Sequence, residues 1–92
     1  MSAADSVSKR ILIGGRVQGV GFRYALADMA RSRALSGWVR NRRDGSVEAV
    51  VCGALTDVDA LAAWARRGPP AARVAWVEVE DADGEFEGFE IV

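Results

Sequence analysis

Trp38–Cys52, WVRNRRDGSVEAVVC, reads as a β-hairpin. Trp38–Asn41 is a short apolar and β-branched run. Arg43-Asp44-Gly45 carries the turn signal, and Ser46–Cys52 returns as a second strand. Upstream, Phe22, Ala25, Leu26, Met29 and Ala30 recur at i, i+3, i+4, i+7 and i+8, which is one face of a helix; Arg23, Asp28 and Arg31 lie off it. Ser36-Gly37 punctuates the end of that helix, and Arg10–Arg16 (RILIGGR) reads as a strand before it. Downstream, Thr56 is the expected N-cap of a second helix, with Asp59 as its capping-box partner and Val58, Leu61, Ala62 and Ala65 as its apolar face. Gly68-Pro69-Pro70 stops it. Arg73–Glu80 alternates as a strand with Ala75, Val77 and Val79 on one side, and Phe89–Val92 closes as a last short strand after a polar turn.

A central hairpin with strand and helix on one side and helix and strand on the other predicts an α+β fold. It is the ferredoxin-like βαββαβ sandwich, a mainly antiparallel sheet with two helices on one face. The 92 residues suit one domain over 9–92, preceded by a disordered tail over 1–8.

Composition narrows the chemistry. Half the residues are apolar and the net charge is −1, as in ordinary globular proteins. Residues 1–46 carry nine basic and three acidic side chains, residues 47–92 three and ten. The positive field around Arg16, Arg23, Arg40, Arg42 and Arg43 suits a small anion better than a nucleic acid, given its acidic counterweight. The absence of histidine removes imidazole bases and histidine metal ligands, and a single cysteine, Cys52, removes disulfides and thiolate zinc sites. No metal or cofactor is expected. With neither an apolar leader nor a membrane-length run, the expected compartment is the cytoplasm.

The candidate site is Gly15–Arg23, GRVQGVGFR. Here Gly15, Arg16, Val17, Gln18, Gly19, Val20, Gly21 and Phe22 connect the first strand to the first helix. Such a loop turns successive N–H groups into one concavity, to which the helix N-terminus adds partial positive charge. Arg23 in the first helical turn supplies a planar fork for a phosphate. The known nucleotide loops do not fit: Val20 follows Gly19 where GxxxxGK[ST] needs lysine, and Tyr24 stands where GxGxxG needs glycine. The composition of the loop alone leaves a plain tight turn open as well.

GRVQGVGFR followed by GWVRNRRDGSVE resembles the two signature stretches of the acylphosphatase family, and RRGPPAARV (Arg66–Val74) is similar to its third recurrent segment. The resemblance runs from Lys9 to Val92. It implies a hydrolase acting on acid anhydrides, cleaving acyl phosphates to carboxylate and inorganic phosphate, with Arg23 binding the phosphoryl group and Asn41 positioning water. It also implies a small-molecule substrate, inorganic phosphate as product and inhibitor, a monomer, and neither nucleic-acid nor membrane partners. The sequence departs from the family pattern at Gly14, Leu61 and Arg42-Arg43. A non-catalytic, regulatory anion-binding domain is the alternative, and retention of both Arg23 and Asn41 argues for catalysis. An RNA-binding ferredoxin-like domain would need paired aromatics on RILIGGRV and SVEAVVC, which have none.

Trp38, Trp64 and Trp76 read as core residues, Trp76 with the least support because Glu78 and Glu80 share its face. Cys52 reads as a small inert apolar residue, and Asp44 as a turn residue instead of a base.

Overall fold

The computed structural model describes residues 6–92. The chain runs β1 (Ser6–Arg16), α1 (Phe22–Ser32), β2 (Ser36–Asn41), β3 (Val47–Ala54), α2 (Leu55–Ala65), β4 (Arg73–Asp81) and β5 (Phe89–Ile91). The sheet order is β4-β1-β3-β2-β5. Every ladder is antiparallel except β2–β5, so the expected ferredoxin-like α+β arrangement is present.

Alternation along the strands decides which face is covered. Ile11 and Ile13 of β1, Val39 of β2, and Val47, Ala49 and Val51 of β3 are all fully buried. Against them lie Phe22, Leu26, Ala27 and Ala30 of α1 and Val58, Leu61 and Ala65 of α2. Each large aliphatic side chain in this layer contributes about 1.5–3 kcal/mol of burial. The α1 stripe is rotated from its expected position: Ala27 is buried, while Ala25 and Met29 line the groove shared with Trp64 of α2. Helix packs on helix as well as on sheet, and periodicity alone does not reveal the second contact.

Several boundaries shift. Of the expected tail, residues 1–5 lie outside the described residues, whereas Ser6–Ser8 already belong to β1 and pair with Ala54, Gly53 and Cys52. The polar segment has no strand pattern of its own; the length of β3 gives it a partner. Ser36-Gly37 opens β2 instead of ending α1, and a Cβ on Gly37 would lie 1.8 Å from the Val50 carbonyl oxygen. Ser46 belongs to the turn, with β3 starting at Val47. Thr56 is not the N-cap: β3 passes straight into α2, Ala54 occupies the cap position, and no side chain caps it. Asp57 complements the start of this helix and pairs with Arg33 beyond the end of α1 at 3.0 Å.

The other sheet face is open, and Glu48 is buried on it. Its carboxylate accepts from Arg10 Nε at 2.5 Å and Arg40 Nε at 2.6 Å, and Arg10 reaches on to Glu80 at 2.6 Å. Four strands are thereby joined. Burial alone would raise the Glu48 pKa, but the two arginine hydrogen bonds outweigh it and hold the carboxyl below its ordinary value. Trp76 is 45% exposed on β4, so it is no core residue. Trp38 is half-buried, its ring 5.6 Å from the Arg40 guanidinium. Trp64 packs against the core, 5.4 Å centroid to centroid from Phe22.

Candidate active site

The site lies where β1, α1 and β2 end or begin. A register shift between Gly14 and Gly15 on the β1–β4 ladder bends the strand just before it finishes. Val17–Gly21 then turns into α1. Gly19 and Gly21 adopt φ of 75° and 81°, the left-handed region that glycine enters without strain, and a Cβ at either would project into open space. Gly21 holds the N-cap position of α1 with no side chain capping it. The first N–H groups of an 11-residue helix are consequently left for another acceptor.

Val17, Gly19, Gly21, Phe22, Arg23, Tyr24 and Asn41 line one cavity of about 230 Å³. Arg23 and Asn41, 18 positions apart in sequence, come together there because β2 ends beside the start of α1. Arg23 is half-buried and has no ion-pair partner among the described residues; its guanidinium carbon lies 5.8 Å from the Tyr24 ring centroid. Asn41 Oδ1 is buried and accepts no hydrogen bond among the described residues. An orphaned buried acceptor is destabilising by about 1–3 kcal/mol and marks a place where a partner is wanted.

The remaining loop positions divide by task. The Val17 and Phe22 side chains are buried in the core, so these residues offer the cavity chiefly backbone. The Phe22 ring is held from behind by Trp64 and by Gly68, where a Cβ would come within 2.5 Å of it. This is how the Arg66–Val74 segment supports the site. Gly15 and Arg16 belong to β1 and do not line the cavity, nor do Gln18 and Val20. Gln18 instead donates from Nε2 to the carbonyl oxygens of Arg42 at 2.7 Å and Ser46 at 2.9 Å.

Beyond Asn41, a second cavity of about 480 Å³ is lined by Arg40, Asn41, Arg42, Arg43 and Asp44. Arg40 is engaged by Glu48 and adds little free charge. Asp44 accepts from the Ser46 amide at 2.9 Å and hydroxyl at 2.5 Å, which lowers its pKa and makes it the brace of the turn. Tyr24, 63% exposed at the cavity mouth, escaped the sequence reasoning; its place next to Arg23 in the first helical turn was the available signal.

The acylphosphatase family model matches residues 9–91. The chain is 54% identical to an acylphosphatase of Cupriavidus necator over 88% of each chain, and 53% identical to one of Anaeromyxobacter dehalogenans over 96% of this chain and 97% of the other. Among solved structures, an acylphosphatase from Coxiella burnetii superposes with a TM-score of 0.94 at 32% identity, covering all of both chains. The likeness spans the Gly15–Arg23 loop, the hairpin and the Arg66–Val74 segment alike, and the chain belongs to the acylphosphatase family.

Proposed function

We propose that this acylphosphatase holds the phosphoryl group of its substrate in the Val17–Gly21 cradle and against Arg23, and that Asn41 orients the attacking water. The observation that carries this is the meeting of an unpaired guanidinium, an uncapped helix start and an orphaned amide oxygen in one small cavity. Water bonded to Asn41 Oδ1 attacks phosphorus, the bond from phosphorus to the acyl oxygen breaks, and the carboxylate departs. The water proton passes to a phosphate oxygen of the substrate. A carboxylate leaving group has a conjugate acid of pKa about 4, so no general acid is required, which suits a chain without histidine. Phosphoryl transfer asks mainly for positioning and for charge on the equatorial oxygens, and Arg23 with the N–H groups supplies both without a metal.

The enzyme acts as a cytoplasmic monomer, inhibited by its product inorganic phosphate, and engages neither nucleic acid nor membrane. No described helix is long and apolar enough to cross a membrane. The test is hydrolysis of benzoyl phosphate in EDTA by the unmodified chain, Arg23→Ala and Asn41→Ala. A positioned arginine is worth on the order of 10³–10⁵ in such a transfer, so Arg23→Ala should be near background. Arg23→Lys should also be severe, since lysine lacks the fork. Full activity in either alanine variant would remove that residue's role, and loss of activity in EDTA would remove metal independence.

A further inference from the structure

We infer that Gln18 is a positioning residue for hydrolysis, a strap that sets the distance between the phosphate cradle and Asn41. The inference rests on the roles proposed above for the cradle and Asn41. Gln18 sits in the loop, immediately before Gly19, but its carboxamide crosses to the β2–β3 turn. Both its N–H groups are used: one carbonyl belongs to Arg42, the residue after Asn41, and the other to Ser46, just before β3. These same two carbonyls close the turn, accepting from Gly45 N at 3.2 Å and Arg42 N at 2.8 Å. The amide therefore completes a four-bond knot instead of binding the cavity. Nothing else on the loop side makes a side-chain hydrogen bond to the turn among the described residues.

The geometry has a chemical consequence. The cradle is carried by the β1–α1 connection and the amide of Asn41 by the end of β2, two segments that are not paired with each other in the sheet. In-line attack needs the water and the phosphorus held to within a fraction of an ångström, and a misplacement of about 1 Å can lower a rate on the order of a hundredfold. A carboxamide bonded twice to the segment beside Asn41 can hold that spacing; an apolar side chain of the same length cannot.

The experiment compares Gln18→Met, Asn41→Ala and the double variant, using benzoyl phosphate turnover and inorganic phosphate binding on protein shown to be folded. Gln18→Met keeps the side-chain length and removes both donors. Its kcat should fall on the order of tenfold to a hundredfold, with phosphate affinity held within about threefold, because the cradle itself is intact. In the Asn41→Ala background the same change should lower kcat no further, since the strap acts through Asn41. Wild-type kcat in Gln18→Met, or a loss that adds fully to that of Asn41→Ala, would overturn the inference while leaving the roles of Arg23 and Asn41 standing. Wild-type kcat in Asn41→Ala would remove the proposed role of Asn41 and the strap with it.

Gln18→Glu gives an independent reading. At neutral pH its carboxylate faces two carbonyls with no proton to donate, and in acid the carboxyl regains one donor. Its kcat relative to the unmodified chain should rise as pH falls, whereas the ratio for Gln18→Met should stay flat. Flat ratios for both variants would overturn the strap.

Discussion

Gly14 and Trp76 face each other across the β1–β4 ladder so closely that a Cβ on Gly14 would lie 2.0 Å from the indole Cε2. The missing side chain on β1 is what lets the ring lie flat on the open face. Gly14→Val should push the half-exposed indole into solvent, losing about 1 kcal/mol of burial while gaining a similar amount of strand propensity. The expected outcome is a red-shifted Trp76 emission with stability changed by less than about 1 kcal/mol, measured by fluorescence and urea unfolding.

Asn41→Ala should separate stability from activity. The variant removes a buried acceptor that has no partner, so the protein should gain about 1 kcal/mol in urea unfolding even as kcat collapses. Lower stability in this variant would mean that Oδ1 is satisfied in solution.

Acid should loosen the open face through Glu48. Its folded pKa is depressed, so its contribution is complete above the ordinary value of 4.5 and fades as pH falls below that value through the folded one. Glu48→Gln should lose about 2 kcal/mol at pH 7 and show a shallower fall in Tm between pH 5 and pH 3 than the unmodified chain, pH ranges set by the carboxylate values themselves. Parallel Tm profiles would assign acid unfolding to other carboxylates.

Inorganic phosphate should stabilise the fold, because the groups that would bind it exist as a set only in the native chain. At a hundred times its Kd the gain is about 2.7 kcal/mol, or at least about 10 °C in Tm for a domain of this size. Arg23→Ala should abolish most of that shift. A full shift in the variant would place the anion elsewhere.

Much of this was legible in the sequence because local signals and tertiary demands agree. Phe22, Leu26 and Ala30 repeat at helical spacing, and Arg43-Asp44-Gly45 can only turn. The misreadings fall where a distant partner decides. Ser6–Ser8 are strand because β3 is long enough to pair with them, and Ala54 starts α2 because no loop separates strand from helix. Trp76 is half-exposed because it lies on the open sheet face, where no helix covers it and only the bare backbone of Gly14, on another strand, lies under its ring. The approach of Arg23 to Asn41 followed from motif resemblance, but the turned-away carboxamide of Gln18 needed coordinates: its type and position fit a loop donor equally well.

The left-handed glycine at the head of α1 carries an implication for engineering this molecule. A directed search for heat-resistant variants would find Gly21 an inviting target, because asparagine tolerates the φ of 81° there and brings a capping side chain that glycine lacks. On the phosphate-binding mode proposed above, Gly21→Asn would occupy the very N–H groups that hold the phosphoryl group. Robustness and turnover thus compete for the same few amide protons, and selection for one alone would drift away from the other.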